Sequence, residues 1–282
     1  MNETMKKDTN DLIDRALLGD RDALEELLDG VQDLVFSLSL RMLGMIPDAE
    51  DASQEILLKV MTHLSSFKKE SAFSTWVYRI AVNHLLSYRK HMFAERPLSF
   101  EFYASDIVNG SAADIPAASE DVDQALLERE LKLSCSNVML QCLEPENRIV
   151  FILGTMFQAD SRVAGEILGM SPEAYRQKLS RARKKMADFL SEYCGLSGSG
   201  CCSCKRRIPY AIATHRLDPA RLEYGALKER QGLLDDCTDA MEEIDHLSLI
   251  FNSMPLYRAT EKAKMFLRDF LKSDCCSLVR GM

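Results

Sequence analysis

The sequence contains few residues that break helices, with 13 glycines and 8 prolines among 282 residues. Runs of β-branched residues are short as well, and most of the remaining residue types are compatible with helices. An all-α fold is therefore expected. A chain of this length favours two or three small domains over a single one.

Long apolar runs are missing too. No apolar stretch approaches the roughly 20 residues of a membrane-spanning helix, and the first residues lack the apolar core of a signal peptide. This pattern predicts a cytoplasmic protein without a membrane span. The nine cysteines are an odd number in a chain without an export signal, which favours reduced thiols or metal ligands over a disulfide framework.

No set of residues predicts catalysis. The sequence has no combination of Ser, His and Asp, no glycine-rich phosphate loop and no paired carboxylates with catalytic spacing, and its five histidines are scattered. A thiol oxidoreductase is one alternative, since Cys201 and Cys204 have C-x-x-C spacing. That pair lies in a glycine- and serine-rich turn rather than near a βαβ pattern, so the chain is not expected to be an enzyme.

Residues 48–64 carry apolar side chains at three- and four-residue steps, which predicts a helix. Its opposite face carries an acidic row with no basic residue before Lys59. The members of this acidic row are Asp48, Asp51, Gln54 and Glu55. Helix capping and the helix dipole account for the two aspartates, but not for Gln54 and Glu55. The acidic row is therefore expected to meet a basic partner surface.

A second helix is predicted from about Ala72 to Lys90. The stretch from Lys68 to Arg96 holds six Lys or Arg residues against two Glu, although the whole chain has a net charge of -8. A basic island in an acidic chain suggests local binding to a polyanion. Trp76 invites a base-stacking role, but it lies on the apolar stripe of this helix and is expected in the core.

The motifs DAEDASQEILLKV and FSTWVYRIAVN resemble region 2 of bacterial sigma factors of the extracytoplasmic-function (ECF) class. The resemblance implies that the acidic row docks on the clamp helices of the polymerase beta-prime subunit. It also implies that the following loop and helix capture a flipped base of the minus-ten promoter strand, for which extrusion costs a few kcal/mol. Ser87 stands where many relatives carry an acid. The minus-ten residues implied in this way are Phe67, Lys68, Lys69, Ser71, Arg79, Asn83, Ser87 and Lys90.

Between Arg96 and Arg129 the sequence has no Lys or Arg, but it has seven acidic residues together with Gly110 and Pro116. This composition predicts a flexible acidic linker, set here at residues 97–136. A simple tether is the alternative. In the resembled family a linker at this place threads toward the polymerase active cleft.

A helix-turn-helix is predicted within residues 137–193. Asp160 caps a helix over 161–168, Gly169 supplies the turn, and Ser171 with Pro172 begins a second helix to about Leu190. Six Lys or Arg residues against one acid between Pro172 and Ala187 make this second helix a candidate for the major groove. The motif ILGMSPEAYRQKLSRARKKM resembles region 4 of the same class, which reads the minus-thirty-five element. The residues implied for that role are Arg176, Gln177, Lys178, Ser180, Arg181 and Lys185.

Residues 194–282 form a cysteine-containing extension. The spacing of Cys194, Cys201, Cys202 and Cys204 would allow a tetrahedral Zn²⁺ or another metal site. The cations at 205–207 are expected to lower the thiol pKa values and so to favour metal binding or oxidation. A tail with incidental cysteines is the alternative. Two amphipathic helices are predicted further on, over 222–249 and 254–271, and some relatives carry a similar extension that is thought regulatory.

Two matching modules in the order region 2, linker, region 4 identify the chain as similar to ECF sigma factors, with region 2 expected at 1–96. The implied partners are core RNA polymerase, through its beta-prime clamp helices and beta flap, promoter DNA, and an anti-sigma factor where one exists. No cofactor is required by this role. The rival is a helix-turn-helix regulator that binds DNA without polymerase, and the acidic row argues against it because a repressor has no need of such a surface.

Overall fold

The structure is a computed structural model that describes residues 3–92, 98–112, 123–197, 200–224, 227, 251 and 257–273. The secondary-structure elements of these ranges are helices, so the predicted all-α class is confirmed. The longer helices are α1 Glu3–Leu17, α2 Arg21–Leu43, α3 Ile46–Thr62, α4 Phe73–Met92, α5 Phe100–Ala112, α6 Gln124–Gln141, α7 Pro145–Phe151, α8 Ser161–Leu168, α9 Pro172–Tyr193, α10 Cys204–Ala213 and α11 Glu261–Lys272. Short 3₁₀ turns span Leu64–Ser66 and Gly195–Ser197, and a π-helical turn spans Ile152–Met156.

The chain divides into two compact units. Unit 1 comprises residues 1–92, 165–170 and 256–282, and unit 2 comprises residues 93–164 and 171–255. Each unit has its own buried apolar residues. Both units therefore combine a part of the predicted sigma modules with a part of the C-terminal extension.

Unit 1 is organised around α2, which packs against α1, α3 and α4. The helix begins after Asp20, whose carboxylate accepts hydrogen bonds from the backbone N–H groups of Asp22 and Ala23 at 3.1 Å each. It ends at Gly44, which has φ +81° and donates its N–H to the Leu40 carbonyl at 2.7 Å. These two local signals bound the helix by satisfying groups that a helix end leaves free. C-terminal helix α11 completes this unit by packing on α2 and α3.

Unit 2 corrects the prediction of a flexible linker over 97–136. The structure has helix α5 there, with Phe100, Tyr103 and Ile107 buried at helical spacing. Helix α6 then begins at Gln124 after Asp123, which caps it by accepting from the Ala125 N–H at 2.9 Å. The segment is helical despite its acidic composition, because burial of these three apolar side chains offsets the entropy cost of ordering the segment.

Helix α10 of the cysteine-containing extension packs on α5 and α6 within unit 2. One apolar core joins the extension to α6; its buried members are Leu127, Leu131, Ile208, Ala211 and Leu217. Buried Asp106 of α5 pairs with Arg207 and Arg216 and accepts a hydrogen bond from the Tyr210 hydroxyl at 3.1 Å. Burial raises the pKa of Asp106, but the hydrogen bond from Arg216 and the charges of both arginines outweigh it and leave that pKa lowered. The first part of the extension is thus anchored in unit 2.

Within the described ranges, we found no helix both long enough and apolar enough to cross a bilayer.

Candidate nucleic-acid interface

The acidic row lies on α3 as predicted from its spacing. Asp51 and Glu55 are exposed, whereas Asp48 and Gln54 are half-buried. The helix begins at Ile46, so Asp48 lies inside the first turn, and the N-cap Met45 makes no side-chain capping bond. Burial raises the pKa of Asp48, and the neighbouring charge of Asp51 raises it further. These carboxylates lie close enough together to act as one negative surface.

Tyr88 of α4 lies beside this negative surface. Burial raises the pKa of its hydroxyl, and the charges of Asp48, Asp51 and Glu55 add to the shift. The acids of α3 therefore converge beside one residue of the neighbouring helix.

An open cavity of about 370 Å³ lies between the C-terminal end of α3 and helix α4. Its lining residues are Lys59, His63, Ser66, Trp76, Ile80, Asn83, His84 and Ser87. The Lys59 ammonium lies 2.8 Å from His84 Nδ1, and Glu55 lies 3.5 Å from His84 Nε2. Burial lowers the pKa of His84, the Lys59 charge lowers it further, and Glu55 acts in the opposite direction. The cavity thus combines an aromatic ring, an exposed amide at Asn83 and a basic rim.

The loop before α4 is held by aromatic packing. The ring centroids of Phe67 and Phe73 are 5.6 Å apart, and those of Phe67 and Trp76 are 5.3 Å apart. Phe67 is only 7% exposed, so its ring packs in this aromatic group, and the role of the loop around a flipped base stays a prediction. Trp76 is half-buried: it packs against Phe67 and also lines the cavity.

Other predicted minus-ten residues differ in accessibility. Lys68 is exposed, and Lys69, at φ +60°, forms an ion pair of 2.5 Å with Asp14. Ser71 and Arg79 are half-buried. The Ser87 hydroxyl donates to the Asn83 carbonyl at 3.0 Å. The side chain of Lys90 lies outside the described residues.

The predicted helix-turn-helix forms at the positions that its capping signals indicate. The Arg162 N–H donates to the Asp160 carboxylate at 2.8 Å at the start of α8, and Gly169 has φ +64° in the turn. The Ala174 N–H then donates to the Ser171 hydroxyl at 3.2 Å at the start of α9. The second helix extends to Tyr193, slightly beyond the predicted end near Leu190.

The predicted base-reading residues lie on the outer face of α9. Arg176, Gln177, Ser180, Arg181 and Lys185 are exposed, and Lys178 is half-buried. Arg176 is held by the Ser161 hydroxyl at 3.0 Å and by the Glu173 carboxylate at 2.8 Å. The Lys185 ammonium lies 5.1 Å from the centre of the Phe100 ring. Gln177, Ser180 and Arg181 are therefore the most accessible members of this face.

Comparison with known proteins finds the sigma-70 region 2 family over residues 27–92, which is the part of unit 1 that carries both the acidic row and the cavity. The ECF sigma factor SigW of Bacillus subtilis strain 168 is 27% identical over 179 residues, covering 62% of this chain and 92% of that protein. Over this part of its length the chain is thus similar to an ECF RNA polymerase sigma factor. The sigma-E factor of Escherichia coli K12 is 27% identical over 173 residues, covering 61% of this chain and 89% of its own length. A Haemophilus influenzae ECF sigma-E factor is 35% identical over 112 residues, 40% of this chain and 57% of the relative.

Two cysteine thiols of the extension have pKa values that differ from the sequence prediction. Burial raises the pKa of Cys204 to about 11. Burial also raises the pKa of Cys202, because it outweighs the lowering effect of Arg207 on that thiol. The predicted lowering by the adjacent cations is therefore wrong for these two thiols. The backbones of Cys194 and Cys202 form an isolated β-bridge, in which the Gly195 N–H lies 2.9 Å from the Cys202 carbonyl oxygen. Cys201 is exposed. Among the described residues, no three Cys, His, Asp or Glu side chains form a metal-binding group.

Two arginines hold backbone carbonyls of the segments that precede the helix-turn-helix, and sequence reasoning did not single out either role. Arg148 is completely buried, and its guanidinium donates to the carbonyls of Leu140, Gln141 and Leu143 at 2.6–2.7 Å. Arg183 donates to the Gly154 carbonyl at 3.0 Å. The charge count of α9 could not separate Arg183 from the arginines that face outward.

Proposed function

We propose that this sigma factor binds core RNA polymerase through the acidic row of α3 and directs it to promoters in the cytoplasm. The observation that carries the proposal is the combination, within the matched region 27–92, of exposed acids on α3 with a separate open cavity beside α4. Helix α3 would then bind the protein partner, while the neighbouring helix α4 would contact the DNA. The chain would favour initiation by binding alone, without catalysing bond chemistry.

The cavity suits an extruded base of the minus-ten element. Trp76 offers an aromatic surface, Asn83 offers an amide that can donate and accept, and Lys59 adds positive charge near the backbone path. Base stacking on aromatic rings and a basic groove are what single-strand capture needs. Lys68 and Ser87 would assist from the rim, with Phe67 supporting Trp76 from below.

Helix α9 would read the minus-thirty-five element in the major groove. Its exposed Gln177, Ser180 and Arg181 would reach base edges, and Arg176 would join them after leaving Ser161 and Glu173. Lys178 and Lys185 would contact phosphates. An additional anti-sigma partner would compete for the same acidic row.

A charge reversal tests the polymerase contact. The double variant Asp51→Lys and Glu55→Lys should lose co-purification with core polymerase while its helical circular dichroism is unchanged. Asp22→Lys with Glu26→Lys is the matched control, because it makes the same charge change at exposed acids of α2. Equal binding of polymerase by both double variants would instead show that the acidic row is only a solvated face and not the polymerase contact.

We further propose that the cysteine-containing turn responds to metal. The thiols of Cys194, Cys202 and Cys204 interact electrostatically, so metal-driven deprotonation would gather them, with exposed Cys201 moving in as the fourth ligand. The measurement is the zinc content of the purified chain and of a variant with serine at all four positions. Equal content in the two proteins would contradict this proposal.

A further inference from the structure

The segment Tyr257–Ser273, which contains α11, packs on the outside of α2 and α3 in unit 1. It buries an apolar stripe with members at four-residue steps. These members are Ala259, Ala263, Leu267 and Leu271, each less than 5% exposed. A stripe of this spacing is one face of an amphipathic helix, and α2 and α3 are the helices that cover it.

The entry of this segment is fixed by polar contacts with α2. The Ser37 hydroxyl donates to the Tyr257 carbonyl at 2.7 Å, and the Ala259 N–H donates to the Asp33 carboxylate at 2.8 Å. Tyr257 itself is 1% exposed, with the Arg41 guanidinium 5.7 Å from its ring centre. Buried polar groups need partners in a defined geometry, so the segment is docked in one register.

Glu50 makes polar contacts from α3 to the start of α11. It accepts a hydrogen bond from the Thr260 hydroxyl, and its other oxygen lies 2.9 Å from the Lys262 ammonium. Glu50 precedes Asp51, a member of the acidic row. The hydrogen bond and charge of Glu50 raise the pKa of Lys262, and Asp51 adds to the shift. The Lys262 charge is therefore felt within the acidic row.

The charge of α11 resembles that expected of a polymerase surface. The helix carries four Lys or Arg residues against two acids. A basic partner approaching Asp51 would meet Lys262, a like charge, at the edge of the acidic row. Docked α11 thus neutralises part of the surface and repels the partner that the surface would otherwise attract.

We propose that the α2–α3 face around Glu50 is an interaction surface for which α11 and core polymerase compete. The proposal rests on the polymerase-binding role of the acidic row. In the free chain α11 occupies the face, and polymerase binding displaces it. The extension thereby sets the affinity of the sigma factor for polymerase.

The first test measures docking in the free full-length chain by hydrogen exchange of the α11 amides. Lys262→Glu should lose protection there, because it places like charges beside Glu50. Lys272→Glu is the matched control: the residue is exposed in the last turn of the same helix, and its protection should equal that of the wild type. The swap Glu50→Lys with Lys262→Glu should restore protection.

The second test measures affinity for core polymerase and the exchange of α11 in the complex. Lys262→Glu should bind about two- to fivefold more tightly than the wild type, the range expected for losing one ion pair whose lysine is exposed to solvent, and Lys272→Glu should not. The wild-type α11 amides should lose protection when polymerase binds. Equal affinities together with unchanged protection would overturn the competition while leaving polymerase binding intact. If no variant binds polymerase, the proposed function itself is wrong and the competition falls with it.

Discussion

At the scale of single residues, buried ionisable groups support the surfaces that were assigned from sequence. Arg148 closes the C-terminal end of α6 by donating to the carbonyls of Leu140, Gln141 and Leu143; the last carbonyls of a helix are the ones that the i→i−4 pattern does not satisfy. His84 lies under the cavity between Lys59 and Glu55. Both residues act through neighbours that they hold in place.

Arg148→Leu should destabilise the chain by about 3 kcal/mol or more. The substitution removes the guanidinium hydrogen bonds to three carbonyls at a completely buried position, and each buried polar group that loses its partner costs ~1–3 kcal/mol. Urea unfolding followed by circular dichroism measures the change, with Arg181→Leu as an exposed control that should stay within about 0.5 kcal/mol of the wild type. A similar midpoint for both variants would show that water replaces the guanidinium.

His84 should make unit 1 less stable in mild acid. Its pKa is lowered from 6.5 in the folded chain, so the unfolded state binds the proton more readily. The contribution of this residue to stability is complete above about pH 6.5 and is lost as the pH falls toward the lowered pKa. Thermal unfolding from pH 7.5 to 5 should therefore show a decline that His84→Gln reduces. The same substitution at exposed His63 is the control, and an identical decline in all three proteins would contradict this role.

At the scale of elements, the cationic side chains of α9 lie on different faces of the helix, although the composition gives no reason to distinguish them. Arg183 faces inward to Gly154, whereas Arg176 and Lys185 face outward. Gly154 also marks a close approach, since a Cβ there would lie 2.5 Å from the Tyr175 hydroxyl oxygen. The outer face is thus the only part of α9 that binding experiments should address.

Arg176→Ala should cost ~1–3 kcal/mol of promoter affinity and relax specificity at one upstream position. Lys185→Ala should weaken all sequences alike and flatten the salt dependence, as expected for a phosphate contact. Competition binding with promoter variants at several salt concentrations separates the two. Uniform losses in both variants would show that α9 is oriented differently in the groove.

The boundaries of α8 and α9 could be predicted because their signals are local: Asp160, Gly169, Ser171 and Pro172 each act on backbone groups within a few residues. Helix α5 was missed because its apolar residues lie in an acidic stretch, where composition pointed to a linker. The Glu50 contact with Thr260 and Lys262 could not be predicted, since it joins residues about 210 positions apart. Burial of Phe67 and the thiols likewise depends on packing that no local pattern encodes.

At the scale of the whole molecule, the extension takes part in both units. Its first helix, α10, is anchored to α5 and α6, and its last helix, α11, lies on α2 and α3. The described helices of the extension therefore pack on other helices within each unit. A signal received by the cysteine-containing turn would first reach α5 and α6, the helices on which α10 packs.

The central claim is that this chain directs core polymerase to specific promoters. The most direct measurement is in vitro transcription of fragmented genomic DNA from the source organism with purified core polymerase, followed by sequencing of the RNA 5′ ends. The account predicts discrete start sites that appear only with the chain present, share minus-ten and minus-thirty-five elements, and disappear with the Asp51→Lys and Glu55→Lys double variant. The same start sites with and without the chain would contradict it.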